Sequence, residues 1–461
     1  MRLPDGPQAP PLWQLMAWIT QPTAFLDSAV RRYGDPFTAD WGRLGKRVFV
    51  GDPQAIEQIF TAGVTTFDSG RAAGVLTPVL GSHSLLLLDG EAHQRHRQLL
   101  MPPLHGERMR SYGSLIQQIT QQMTATWRQG QTFWARDFMQ AVSLQVILQA
   151  VFGLHPGERC LRLEKSLLKL MDLVVTPIGR LMIFFPALQQ DWGAFSPQGY
   201  FVRIRQQVDD LIYEEIAERQ TRDPDAPTGN DILSLLMAAR DEEGDPLTPQ
   251  ELRDELITML IAGHETTATS LTWALYWMHA LPDVQARLLT ELTTLEDPCD
   301  AMAMTRLPYL SAICAETLRL YPVLLTALPR ITQHPFSIGE YDVPPETRLM
   351  PCIYLTHRRP DLYPEPEQFH PERFIERQFS PYEYLPFGGG NRRCIGAAFA
   401  LFEMKIVLVT LLSRWHLHLL ESYPVGYVRR SITMAPASGI KMQVMAPLAP
   451  SRSEQPSLVV R

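Results

Sequence analysis

Residues 387–396 read FGGGNRRCIG. One thiol, Cys394, follows three consecutive glycines, Gly388, Gly389 and Gly390, and two arginines, Arg392 and Arg393. Behind it runs IGAAFALFEMKIVLVTLLSRW, a strongly apolar stretch that predicts a buried helix to about Trp415. A thiolate at a helix N-terminus is stabilised by the macrodipole and by free N–H groups. The glycines permit a tight turn whose amides can point at sulfur, and the arginines add positive potential. This setting suits a nucleophile or a metal ligand. A catalytic cysteine needs a histidine base, and none lies in the window. Zinc would need three or four nitrogen or sulfur ligands. One thiolate without local co-ligands suits a metal whose other ligands come from elsewhere, and haem iron is the best case.

The rest of the chain narrows the setting. It has 461 residues, 45% apolar and 20% charged, enough to bury a large core without a disulfide scaffold. The net charge of -7 argues against a nucleic-acid binder. The five cysteines, Cys160, Cys299, Cys314, Cys352 and Cys394, are scattered and form no C-x-x-C pair, as expected of reduced thiols in a cytoplasmic protein. The apolar run Leu12–Ile19 is too short to span a bilayer and lacks signal-peptide order, so a soluble protein is expected, with surface contact to membrane left open. The C-terminal SRSEQPSLVVR reads as a loose tail.

Helical periodicity covers residues 91–128, 136–153, 199–220 and 248–280. WGRLGKRVFVGDPQAIEQIF, from Trp41, reads as two short strands and a helix, and strand-like pieces return at 328–353. The fold class is mainly α with small β-sheets, in one domain over 1–461 with peripheral ends. TRDPDAPTGND at 221–231 reads as a loop between helices.

Three further stretches carry chemistry. The helix at 248–280 opens with TPQE, a capping box with proline at the first helical position, and stops before Pro282. It is apolar on most faces, yet AGHETTAT at 262–269 puts Gly263, the acid Glu265 and the hydroxyls Thr266, Thr267 and Thr269 in its middle. Glycine weakens the helix there by about 1 kcal/mol, and the hydroxyls compete for carbonyls, so a local opening is expected. A tight helix crossing explains the same glycine equally well. AETLRLYP at 315–322 places Glu316 and Arg319 on one helical face. PERF at 371–374 adds Arg373, with which a buried Glu316 would have two cationic partners.

Together these stretches resemble the cytochrome P450 monooxygenases. FGGGNRRCIG fits that family's haem-ligand pattern F-x-x-G-x-R-x-C-x-G at Phe387, Gly390, Arg392, Cys394 and Gly396. AGHETT resembles its oxygen-activation motif, ETLR its E-x-x-R motif and PERF its meander motif, in the family's order. The resemblance implies haem b between the long central helix and the cysteine helix. Cys394 would be the axial thiolate, with Phe387 beside the sulfur. Glu265 and Thr266 would organise water for proton delivery during dioxygen activation, and Glu316, Arg319 and Arg373 would form a structural network. His93 and Arg97 of HQRHR, Arg330 of LPRIT and Arg392 are the implied propionate contacts.

The implied activity is a haem-thiolate monooxygenase that hydroxylates or epoxidises an apolar substrate such as a fatty acid, hydrocarbon or terpenoid. Ala262, Leu324, Leu325, Ala327 and Leu328 would approach the haem, within apolar stretches that include GVLTPVLGSHSLLLLDG, LVVTPIGRLMIFFPAL and VLLTALP. Arg71 or Arg180 could anchor a carboxylate. No G-x-G-x-x-G unit follows a strand, so electrons come from a separate ferredoxin- or flavodoxin-type donor with its reductase. A basic patch of Arg95, Arg108, Arg110, Arg392 and Arg393 would receive that donor. A peroxide-driven peroxygenase or isomerase is the alternative within the fold, and Glu265-Thr266 counts against it. A haem-thiolate binding protein without turnover is the alternative outside enzymes.

Overall fold

A computed structural model of the chain describes residues 2–106, 108–154, 157–176, 193, 196–221, 229–297, 300–421 and 424–447. The candidate Arg180 and most of LVVTPIGRLMIFFPAL lie outside these residues. Among the described residues no helix is long and apolar enough to cross a membrane.

Helices dominate. The longest, Pro249–Ala280, spans about 48 Å and is the central helix. The Thr248 hydroxyl accepts from the Glu251 amide, and the Glu251 carboxylate accepts from the Thr248 amide, so the expected capping box is present. Against it pack the helices Ala135–Phe152 and Pro308–Leu320 and the cysteine helix Ala397–Leu412, which also lies on Arg108–Thr124. The stretch 91–128, expected as one helix, is two: Gly90–Leu100 and Arg108–Thr124, with a 3-10 turn at Pro102–Leu104 between them. Pro102 and Pro103 have no amide hydrogen to continue the ladder.

Small sheets fill one side. β1 (Phe37–Asp40), β2 (Lys46–Val50), β3 (Phe67–Asp68), β5 (Arg330–Thr332) and β8 (Arg348–Pro351) form one sheet in the order β1-β2-β8-β5-β3. β4 (Thr132–Trp134), β9 (Trp415–Leu419) and β12 (Lys441–Pro447) form a second, while β6 (Phe336–Ile338) pairs β7 (Tyr341–Val343) and β10 (Tyr427–Arg430) pairs β11 (Thr433–Pro436). The expected first strand of the Trp41 stretch lies just before it, because Gly42–Leu44 forms a 3-10 turn.

The apolar residues form a large helical core and two smaller ones under the sheet. One of these is aromatic: Trp18, Phe25, Phe37, Trp41 and Phe49, with Phe37 and Phe49 stacked at 5.1 Å. The N-terminal helix Pro11–Thr20 contributes Leu15 and Trp18 to it and leaves Leu12 and Trp13 exposed.

Candidate functional site

The central helix is buried along Leu252–Leu260 and again along Thr267–Met278. Between these stretches Ala262 is exposed, Ile261, Gly263, Glu265 and Thr266 are half-buried, and His264 is buried. The helix does not open there. It continues unbroken, and the Thr266 hydroxyl donates to the Ala262 carbonyl at 2.6 Å. Gly263 has a packing role instead: a Cβ there would sit 3.1 Å from Ile147 Cδ1 of the neighbouring helix. The tight crossing is therefore the better account of this glycine.

Glu265 turns away from Thr266. Arg136 lies 3.7 Å from its carboxylate, and the Thr433 hydroxyl of the β10–β11 hairpin is 3.2 Å from Oε1. Burial pushes the Glu265 carboxyl up against the opposing pull of Arg136, Thr433 and Arg430, so it holds a proton more readily than an ordinary glutamate. Neither Arg136 nor Thr433 is visible as a partner in sequence.

Cys394 is the uncovered free cysteine among those described; Cys160, Cys314 and Cys352 are buried. Its amide donates to the Phe387 carbonyl at 3.0 Å, which closes the loop, and the Gly396 amide donates to its sulfur. Gly388 and Gly390 both have φ of +64°, which favours glycine, and a Cβ on Gly389 would overlap the Phe60 ring at 2.2 Å. The three glycines thus serve the turn and the approach of Phe60, while the amide at sulfur comes from Gly396. Although Cys394 is accessible, the protein packed around it desolvates the sulfur and raises the thiol, and the Gly396 amide, Arg97 and Arg393 oppose this without reversing it. The helix terminus alone does not make a thiolate here; a bound metal cation would.

Four side chains form a cationic cradle beside the loop. Arg330 is 2% exposed, and among the described residues its guanidinium donates to the carbonyls of Leu328 at 2.6 Å and Gly389 at 3.5 Å and lies over the Phe60 ring. Burial and then Arg392 push its pKa down to about 9, against Asp89. Arg392 pairs with Asp89, leaves Nε buried without a partner, and is pushed down to about 10 chiefly by burial. Arg97 donates to the Arg393 carbonyl at 2.8 Å. His93 is buried, and burial followed by the three arginines pushes its pKa down to about 3, so it is neutral and offers an N–H rather than a charge. Of the three guanidinium groups only Arg392 pairs with a carboxylate among the described residues, Asp89, which also accepts from the amides of Ser69, Gly70 and Arg71. Such a cradle wants further anions. The two carboxylates of haem would suit it, and the sulfur of Cys394 could serve as an iron ligand. Asp89 escaped the sequence reading, although LDGE before the HQRHR helix is a recognisable helix-start signal.

His96, one turn further along the same helix, meets the central helix instead. Its Nδ1 lies 2.7 Å from Glu255 and its Nε2 3.2 Å from Glu251, both on the central helix. Burial alone would lower the imidazole; its bonds and charges with Glu255 and Glu251 outweigh that and raise it above its ordinary 6.5. A raised imidazole contributes fully below about pH 6.5, and the contribution is lost as pH rises through the folded value. Urea unfolding should therefore show a loss on the order of 1–2 kcal/mol between mildly acidic and alkaline pH, absent from His96→Gln. An equal pH dependence in both proteins would refute the assignment.

The structural network is compact. Glu316 receives Arg319 Nε at 2.6 Å on one oxygen, and Arg319 Nη2 at 2.8 Å and Arg373 Nε at 3.2 Å on the other. The His370 amide adds a bond of 2.8 Å.

Other candidates scatter. Ala262, Leu324 and Leu328 are accessible. Leu325 packs into the aromatic cluster with Trp18 and Phe49, and Ala327 packs beside Phe60 and Leu349, so these two face apolar cores. Arg71 is held by two bonds to Glu346 and by Asp68, which answers its charge. Arg95 is paired with Asp241 and Glu251, and the Arg392 side chain is 5% exposed. The expected basic patch contracts to Arg108, Arg110 and Arg393. Phe387 is half-buried against the main core. A separate cleft of about 560 Å³, lined by residues such as Tyr112, Gln149, Arg159 and Glu215, shares no residue with this site.

Comparison with known proteins identifies the family. The family described as Cytochrome P450 matches residues 4–441. The chain is 34% identical to "Putative cytochrome P450 135B1" of Mycobacterium tuberculosis (strain ATCC 25618 / H37Rv), over 97% of this chain and 92% of that one. It is 34% identical to "Putative cytochrome P450 138" of the same strain, over 95% of each. Among solved structures, the retinoic acid-bound cyanobacterial CYP120A1 superposes with a TM-score of 0.83 at 24% identity, covering 97% of this chain and 100% of that one. The heme domain of cytochrome P450DA gives 0.81 at 22%, covering 96% of each. These two likenesses establish the fold. The chain belongs to the cytochrome P450 family. Its cofactor is haem, and its general class is that of a haem-thiolate monooxygenase, which uses dioxygen and electrons from a redox partner.

Proposed function

We propose that the protein inserts one oxygen atom into an apolar substrate, with Cys394 as the axial ligand and Glu265 and Thr266 as the proton-handling pair. The observation that carries this reading is Thr266: a hydroxyl in the half-buried break in the middle of a helix buried on both sides of it, next in sequence to a carboxyl that burial keeps prone to protonation. Haem, held at Cys394, would supply dioxygen activation. Arg97, Arg330, Arg392 and the neutral His93 would hold its propionates, and Glu316, Arg319 and Arg373 would brace the structure behind it.

The chain's own part in the chemistry is proton management. Thr266 Oγ donates to the Ala262 carbonyl and keeps lone pairs to accept a bond from water. Rotation about its Cβ–Oγ bond redirects that proton towards the substrate side. Glu265, released from Arg136 and Thr433, can reload the water from Oε1. Apolar Ala262, Leu324 and Leu328 exclude further water and favour a fatty acid, hydrocarbon or terpenoid. The relative CYP120A1 has retinoic acid, an apolar acid, bound in its structure. The electron donor is a ferredoxin- or flavodoxin-type protein that meets Arg108, Arg110 and Arg393. The acid–hydroxyl pair disfavours a peroxide-driven reaction.

Thr266→Ala tests the reading. Electron consumption should continue while product per electron falls on the order of tenfold, as expected for loss of a positioned proton donor. Unchanged coupling would remove Thr266 from the relay. A spin-state titration across fatty acids, alkanes, terpenes and a set of hydrophilic compounds identifies the substrate class, and a response confined to the hydrophilic set would contradict it.

A further inference from the structure

His357 takes no part in the chemistry above, yet its ring joins two parts of the site. It is fully buried, its Nδ1 lies 3.2 Å from the Arg319 carbonyl, and its Nε2 lies 3.0 Å from the Leu385 amide nitrogen. A carbonyl only accepts and an amide N–H only donates, so one tautomer satisfies both: proton on Nδ1, lone pair on Nε2. The charged form could not accept from Leu385. Burial holds the imidazole well below its ordinary range, which agrees with this state. The contact with Arg319 is reciprocal, because Arg319 Nη1 donates to the His357 carbonyl at 2.8 Å. Tyr384 stacks on the ring at 5.4 Å and 18°.

Leu385 opens the cysteine loop. Its carbonyl accepts from Gly388 at 3.0 Å, and two residues further the Phe387 carbonyl accepts from Cys394. The loop is thus tied at its entrance to the imidazole and closed at its end by the cysteine amide. Arg319, in turn, is fixed by Glu316 and by the carbonyls of His357, Pro366 and Gln368.

We propose that His357 is a positioning residue for Cys394, transmitting the rigidity of the Glu316–Arg319 anchor to the cysteine loop through one fixed imidazole tautomer. The proposal rests on the reading of Cys394 as the iron ligand. Its geometric part, that Leu385 depends on His357, does not. Any side chain that lacks the acceptor leaves the Leu385 amide buried and unpaired, which frees the loop entrance before it unfolds the core.

The test uses the haem-loaded protein and three variants. His357→Phe keeps the stacked ring and removes both bonds. His357→Gln restores an acceptor on a flexible chain. Thr356→Val removes a neighbouring buried hydroxyl, bonded to Gly51 and Cys352, that lies off this route. Amide exchange of Leu385, Gly388 and Cys394 should accelerate about tenfold or more in His357→Phe relative to amides of the central helix, as loss of one or two hydrogen bonds implies. His357→Gln should recover part of this, and Thr356→Val should show no loop-specific change. The red-shifted band of the reduced carbon monoxide complex should decay faster in His357→Phe than in Thr356→Val. Unchanged exchange at Leu385, or exchange that only follows overall stability in all three variants, would overturn the proposal. A wild-type protein without the red-shifted band would instead overturn the ligand assignment and leave the exchange result standing.

Discussion

Glu316→Ala is expected to cost about 3–5 kcal/mol of folding stability, a large share of the total in a typical protein. The reason is charge. Glu316 and Arg319 have no solvent exposure, and Arg373 is buried beside them. Removing the carboxylate leaves two guanidinium groups facing carbonyls, with the His370 amide unpaired. Burying an uncompensated cation costs far more than losing one exposed bridge. Little folded, haem-loaded protein should accumulate, and what does should unfold at markedly lower urea. Arg319→Lys should fail similarly, because a single ammonium cannot reach both carboxylate oxygens and three carbonyls. A midpoint shift equivalent to under about 1 kcal/mol would show that the network does not brace the fold.

Arg330→Leu should separate haem retention from stability. The guanidinium has no carboxylate partner among the described residues, and burial with Arg392 lowers its pKa to about 9. Replacing a poorly compensated buried cation with an apolar side chain tends to be neutral or stabilising. Urea unfolding should therefore hold or shift upward. A buried charge-assisted bond to a haem carboxylate is worth about 1.5–3 kcal/mol, so haem release to an acceptor protein should accelerate roughly ten- to a hundredfold. A lower urea midpoint with unchanged haem release would mean that Arg330 serves the sheet, where it begins β5, and not the cofactor.

The parts legible in sequence were those whose partners lie close along the chain. The Thr248–Glu251 box, the Glu316–Arg319 pair and the glycine turn before Cys394 each span a few residues. Partners across the chain were not legible. Arg392 meets Asp89 303 residues away, and Arg71 meets Glu346 275 away. The run VLLTALP is apolar at most positions, so it carries no periodicity to say that Leu324 is accessible while Leu325 and Ala327 turn to different cores. His93 and His96 share a helical face by their three-residue offset, and that one lies by the arginines while the other meets Glu251 and Glu255 follows only once the neighbouring helices are in place. Pro102-Pro103 was a local signal, and it should have divided the 91–128 helix.

The central claim is that Cys394 binds haem iron as a thiolate, and the spectrum of the reduced carbon monoxide complex tests it most directly. The protein should show the red-shifted Soret band of thiolate ligation, and Cys394→Ala should lose it. A wild-type spectrum without that band, or a Cys394→Ala protein that keeps it, would contradict the assignment.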